Sequence, residues 1–457
     1  MTDTKKKWAF LALCLGFFMV ILDVTIVNVA LPTIADYFQT TLPNLQWIVD
    51  GYTLTFAGFL LLIGSLSDYF GPKKIFQLGL LAFSLTSLAC ALANSIAALI
   101  FFRLLQGVSG ALLLPSSLAL ITQLYTEPEK KVQAIGIWAA LGGIACASGP
   151  FLGGLLTSLF SWRMIFLVNV LIGLAAFFLI AGNMRHYKPS ANPIYFDLFG
   201  QITGFIAIIS LAFVLIEVSN YSWNNPLIIF SLLFSILSTL LFLWIEHHAK
   251  HPMLPLTLFQ NKVTTMAIIA GLTLNLVFYG QLFMLPFYFE NIRHYSVFMT
   301  GVAILPLPGL ALIGSYLGGK LTAKMGAAKV ISTGFFIAAL GFFALLPIEK
   351  TIPNYLWIMI PFLAIGFGVS FTTPAMTFAA INSAGDHQTG IAAAVLNTGN
   401  QVGSLIGVAV FGTIAAIHKD FISAIHVTLF IAGMLFTLTA FLTLLLMEIK
   451  PIKCSHR

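Results

Sequence analysis

Apolar residues run along this chain in long unbroken stretches, without the strict alternation of a strand or the one-sided stripe of a soluble helix. About fourteen reach the roughly 20 residues that a membrane-spanning helix needs. They lie near 9–31, 45–66, 75–93, 96–122, 132–157, 163–183, 198–218, 226–245, 264–289, 297–318, 329–347, 355–380, 391–416 and 426–447. The pattern predicts an all-α integral membrane protein with about fourteen transmembrane helices. The longest polar connections, near 184–196 and 247–262, are too short for a soluble domain. The first stretch follows Lys5, Lys6 and Lys7, but it is too long for a signal peptide, carries Asp23 and Asn28, and lacks a small-residue cleavage site, so it reads as a retained span.

Composition agrees, since 59% hydrophobic and 8% charged residues cannot make a water-soluble globule of 457 residues. The net charge of +7 would suit a nucleic-acid binder if it were clustered, but it follows the predicted topology instead. With an even number of spans and a cytoplasmic N-terminus, 17 of the 22 Lys and Arg fall on the inner side, among them Lys73, Lys74, Lys130, Lys131, Lys250 and Lys262. Only Arg163, Arg293, Lys350 and Lys419 fall outside, and Arg103 lies within a span. This bias predicts a multi-pass protein of the cytoplasmic (inner) membrane with both termini inside, and no nucleic-acid partner. Cys14, Cys90 and Cys146 lie in apolar stretches and Cys454 in the tail, so no disulfide is implied. No G-x-x-x-x-G-K-[ST] loop is present, so ATP is not a direct fuel. No cofactor is called for.

The chain is internally repeated. Gly64, Leu66, Asp68, Gly71 and Lys74 recur at identical spacing as Gly319, Leu321, Ala323, Gly326 and Lys329, and Gly107 and Pro115 recur as Gly366 and Pro374. Two six-helix bundles, 1–184 and 263–457, with two inserted spans in 185–262, account for both offsets. Such paired repeats are a common transporter build with the substrate site between the halves. Asp68 is replaced by Ala323 and Arg103 by Phe362, so ionisable chemistry is confined to the first copy.

Several of these motifs resemble those of the major facilitator superfamily, in its 14-helix drug:proton antiporter branch. Gly64, Asp68, Gly71 and Lys74 match the loop between the second and third spans, although Tyr69 and Pro72 stand where the family often has arginine. Leu99–Ala111, with Arg103, Gln106 and Gly107, matches the fourth-span motif, and Leu22–Pro32 the first-span motif of this branch. Gly149, Pro150, Gly153 and Gly154 match the fifth-span antiporter motif. The resemblance implies an exporter, monomeric by default, that moves small molecules against protons by alternating access. It leaves any periplasmic adaptor unread.

Each candidate residue carries two readings. Arg103, the one Lys or Arg deep in a span, shares a helical face with Gln106, Gly107 and Gly110; that face either lines a cavity or ties helices together through carbonyls. Asp23 either exchanges a proton while Arg103 biases it, or only bonds its own helix near Thr25 and Asn28. Asp50 is a second acid for proton or cationic substrate, or an exposed interfacial group. Asp68, with Gly64, Gly71, Lys73 and Lys74, forms a candidate inner gate, and Gly149, Pro150, Gly153 and Gly154 a candidate hinge. Asn28, Gln106, Asn275, Phe278, Tyr279, Gln281, Asn397, Asn400 and Gln401 offer polar and aromatic groups for an amphipathic guest, or for neighbouring helices. His247, His248 and His251 look like a metal cluster, but they sit at a cytoplasmic helix end without a recognised catalytic pattern and read as solvated, as do Glu217, Glu246 and Glu290 near span ends. Export of drugs, export of one endogenous metabolite or siderophore, and a membrane enzyme or sensor are the function classes; the last has no supporting residue constellation.

Overall fold

The computed structural model describes residues 3–184, 197–250, 252–349, 354–384 and 389–447, and its regular structure is entirely helical. The helices are α1 Asp3–Phe38, α2 Leu42–Phe70, α3 Pro72–Ala91, α4 Ile96–Leu124, α5 Pro128–Leu159, α6 Met164–Asn183, α7 Leu198–Tyr221 and α8 Pro226–His248. They continue as α9 Lys262–Phe287, α10 Val297–Met325, α11 Ala327–Ala344, α12 Leu356–Asn382, α13 Thr389–Ile417 and α14 Phe421–Leu446. Among the described residues, thirteen helices are long and apolar enough to cross a membrane. The 29-residue α2 completes the predicted fourteen. Helices are the answer because hydrocarbon offers no partner for a free N–H or C=O, and a helix satisfies both internally.

Punctuation follows the local chemistry. Ser95, Asn261 and Ser296 cap the starts of α4, α9 and α10 through side-chain oxygens, and Pro72 and Pro226 stand in first turns, where a missing N–H costs nothing. One predicted span is not a single helix. Helix α10 is interrupted, running Val297–Ile304, Pro306–Gly309 and Ala311–Met325, because Pro306 and Pro308 remove donors and crowd the preceding turn.

The sequence repeat is a structural one. Gly71 and Gly326, at matching positions, turn the chain with φ of 92° and 84°, and they are the only described glycines with positive φ. Gly107 lets α4 touch α2 where a Cβ would overlap the Tyr52 carbonyl; its counterpart Gly366 lets α12 touch α10 where a Cβ would overlap the carbonyl of Leu307, the counterpart of Tyr52. Likewise Gly149 and Gly153 bring α5 onto Thr25 and Ile26 of α1, as Gly403 and Gly407 bring α13 onto Leu272 and Leu276 of α9.

The halves meet away from the lysine-rich end. Gln46 of α2 donates to the carbonyls of Val408 and Ala409 in α13 at 3.1 and 2.8 Å. On the other seam Gly154 of α5 packs on Val297, Phe298 and Gly301 of α10, and Gly301 on the Pro150 carbonyl. The inserted helix α7 covers the α2/α13 seam. Trp47 donates to Glu217 at 2.9 Å, Thr413 to the Leu215 carbonyl at 2.5 Å, and Gln201 to the Gly58 carbonyl.

Candidate functional site

Five helices of the first half converge on Asp23. The α4 residue Arg103 is ion-paired to Asp23 of α1 through Nη1 and Oδ2. The other carboxylate oxygen accepts from Asn169 of α6 at 2.7 Å and from Gln106 of α4 at 3.1 Å. Gln106 in turn accepts from Arg103 at 2.8 Å and donates to Ser87 of α3 at 2.7 Å. Helix α2 closes the ring, since Arg103 Nε donates to the Ile48 carbonyl at 3.0 Å and the guanidinium lies 4.4 Å over the Tyr52 ring. Asp23, Gln106, Ser87 and Asn169 are fully buried and Arg103 is 1% exposed. A lone buried charge in this setting costs several kcal/mol, and pairing plus four neutral partners offset it.

This geometry takes something from both readings of Arg103. It ties helices together through a carbonyl and also meets the acid, and in this conformation its face is sealed among helices, not open to a cavity. Asn169 and Ser87 were not among the sequence candidates. A lone asparagine inside the apolar run of α6 is the signal that points to the first, because an unpaired amide in hydrocarbon is expensive. A serine carries no such signal.

Asp50 has a different environment. It is fully buried, neither carboxylate oxygen has a hydrogen-bond partner, and it lies one helical turn from Gln46 on the face turned to α13. The exposed reading of this acid is therefore excluded.

The loop between α2 and α3 separates into distinct jobs. Among the described residues Gly64 meets no atom within 4 Å of a Cβ position, so it makes no close helix contact there. Lys73 is 5% exposed and donates to the Met184 carbonyl at the C-terminal end of α6, while Lys74 is exposed. Lys73 is thus a strut within the first half, where a cation answers the helix-end carbonyls. The backbone of Asp68 lies in the last turn of α2; its side chain is outside the described residues.

The polar residues predicted for a substrate cavity are dispersed. Asn28 is buried and bonds back to the Val24 carbonyl at 3.0 Å, and Gln106 belongs to the Asp23 network. Asn275 donates to the Gly271 carbonyl at 2.8 Å, and Asn400 packs on Gly271 beside it, joining α9 to α13. Phe278 and Gln281 line a small cavity inside the second half with Leu307 and Phe362, the counterparts of Tyr52 and Arg103. Tyr279 is half-buried, its ring edge-on to Phe278 at 5.4 Å between centroids. Gln401 is half-buried and Asn397 exposed.

One acid read as solvated is not: Glu246 is 2% exposed. Glu217 is half-buried and accepts from Trp47 and Asn220. Glu290 is half-buried. His247 and His248 are exposed, with His248 bonded to the Trp244 carbonyl at 2.8 Å, and His251 is outside the described residues. Among the described residues no group of three or more metal-ligating side chains is gathered.

A family model described as the Major Facilitator Superfamily matches residues 13–195 and 185–408. The chain belongs to this superfamily. Its relatives include the Methylenomycin A resistance protein of Bacillus subtilis (strain 168), 35% identical over 434 residues, covering 94% of this chain and 92% of the relative. The protein of that name from Streptomyces coelicolor is 31% identical over 428 residues, covering 93% and 89%. The Multidrug resistance protein Stp of Mycobacterium tuberculosis is 34% identical over 404 residues, covering 88% and 74%. The superfamily fold is also seen in the crystal structure of a bacterial homologue of the human lysosomal transporter Spinster, inward-facing and unoccupied. It superposes with a TM-score of 0.67 at 15% identity over 97% of both chains. This member is therefore an integral multi-pass membrane protein of a transporter family.

Proposed function

We propose that this protein exports lipophilic, often cationic drugs from the cytoplasm in exchange for protons, by alternating access, as a monomer in the cytoplasmic membrane with both termini inside. The observation that carries the reading is the Asp23–Arg103 pair, fully buried within the half whose seam to its partner is sealed at the end away from the lysines. With that end outward, substrate enters from the cytoplasm. Protonation of Asp23 breaks the ion pair yet leaves Arg103 on the Ile48 carbonyl of α2, so it loosens α1 from α4 while α2 and α4 stay tied. Asp50 at the α2/α13 seam, a buried carboxylate without a donor, calls for a proton or a cationic guest. The short contacts of Gly149 and Gly153 let α5 slide on α1, and Gly154 and Pro150 form the part of the outer seam that must part. The names of the relatives, including the Puromycin resistance protein pur8 of Streptomyces alboniger, supply the drug label.

The test is energised inside-out vesicles with a panel of lipophilic cations and a pH-sensitive dye. Drug addition is expected to release protons in the wild type and not in Asp23→Asn, which still binds drug; Asp50→Asn loses cations and keeps neutral substrates. Wild-type exchange in Asp23→Asn would sink the coupling role. A second reading, export of a single antibiotic or metabolite, draws on relatives named for one compound each, methylenomycin A and tetracenomycin C. Silence of the panel with response to one compound would favour it.

A further inference from the structure

The base of the α7–α8 hairpin holds two carboxylates whose geometry none of the above uses. Asp197 caps α7, its Oδ1 accepting from the Gly200 N–H at 2.8 Å. Glu246, in the last turn of α8, accepts the Leu254 N–H at 3.0 Å through Oε2, which holds the connection to α9 against α8. Each acid thus spends one oxygen on the backbone. The remaining oxygens, Asp197 Oδ2 and Glu246 Oε1, are both buried without a hydrogen-bond partner, and they converge: a Cβ on Gly200 would stand 2.6 Å from the first and 2.9 Å from the second. Glu246 as a whole is 2% exposed.

Two bare carboxylate oxygens do not share a buried site as two anions, because the repulsion adds to the loss of water. We infer that Asp197 and Glu246 hold one proton between them, the O–H of Glu246 donating to Asp197 Oδ2, with a net charge of one on the pair. The helix ends assign the proton. Asp197 stands at an N-terminus, where unpaired N–H groups favour negative charge, whereas Glu246 stands among C-terminal carbonyls, which oppose it. Among the described residues the basic side chains nearest the two acids in sequence are His247 and His248 on α8 and Lys250 and Lys262 flanking the connection, all of them exposed. Among the described residues neither acid is ion-paired to any of them.

The shared proton makes a clasp. On one side of it, Gln201 of α7 reaches the Gly58 carbonyl of α2; on the other, Leu254 leads into α9. Loss of the proton sets two anions against each other while the Leu254 N–H still bonds Glu246 Oε2, so the ends of α7 and α8 are held together less tightly at high pH than at low.

The test is infrared difference spectroscopy of the full chain in lipid nanodiscs, titrated from mildly acidic to alkaline pH. The wild type is expected to show a protonated-carboxyl C=O band that disappears on alkalinisation. Glu246→Gln should remove that band, and Asp197→Asn should move its frequency, because the acceptor of the O–H changes. Both amides preserve side-chain shape and a donor or acceptor at the clasp, and thermal melting confirms that each variant is folded. A wild-type spectrum without a titrating carboxyl band needs no variant to overturn the inference. A band indifferent to both substitutions overturns it equally, as do carboxylate bands that shift instead on adding sodium or magnesium chloride, which would mark a cation between the acids.

Discussion

Replacing Arg103 by alanine removes the counter-charge of Asp23 and leaves the carboxylate with the amides of Asn169 and Gln106 alone. Breaking a buried pair from one side costs about 3–5 kcal/mol, because the surviving charge stays buried. The lost hydrogen bond to Ile48 adds about 0.5–1.5 kcal/mol. The guanidinium over the Tyr52 ring adds about 0.5–2 kcal/mol. Arg103→Ala should therefore lower unfolding stability by about 4 kcal/mol or more, and abolish transport. Asp23→Leu should cost about 3–5 kcal/mol by the same rule, since Arg103 is then the orphan. The double variant Asp23→Leu/Arg103→Met buries no charge, and it should be more stable than either single one. The assay is reversible unfolding in mixed micelles followed by far-ultraviolet circular dichroism, arranged as a double-mutant cycle. Additive costs, or an Arg103→Ala variant within about 1 kcal/mol of wild type, would refute the picture of a charge held by its partner.

Two further substitutions probe the scaffold. Lys73→Met leaves the Met184 carbonyl without its donor and should lower the melting temperature, at about 1–3 kcal/mol, while sparing proton-coupled export; a gating role for Lys73 would instead show as uncoupled transport at unchanged stability. Gly366→Ala drives a methyl into the Leu307 carbonyl and should cost about 1–3 kcal/mol. Gly64→Ala, facing open space, should lie within about 0.5 kcal/mol of wild type by the same melting assay.

Much of the architecture was legible before any coordinates. Hydrocarbon forces backbone pairing into single helices, so the apolar runs announce the spans directly, and duplicated glycine spacing announces the repeat because close helix contact admits little else. Gly71 and Gly326 turn the chain as their shared register implies. The Asp23–Arg103 meeting was likewise approachable, since a buried arginine must find an acid or carbonyls. Residues whose role depends on what lies opposite were not readable in this way. Gly64 and Gly107 look alike in a string, yet one faces space and the other a carbonyl. Lys73 and Lys74 are neighbours, and only Lys73 points back to α6. Glu246 looks like a wet helix end until Asp197 and the Leu254 amide are found around it.

By itself the sequence determined that the chain is all helical with about fourteen spans, and that matching glycines turn it at Gly71 and Gly326, because each of these follows from composition, period or spacing along one chain. Tertiary structure alone decided that Asn169 and Ser87 complete the Asp23 network, that Asp50 is buried without a partner, that the polar residues of α9 and α13 are divided among separate contacts, and that the seam is sealed away from the lysines. The reason is that the burial and pairing of a polar group depend on residues scores or hundreds of positions away, and helices of nearly uniform hydrophobicity carry little record of which face meets which neighbour.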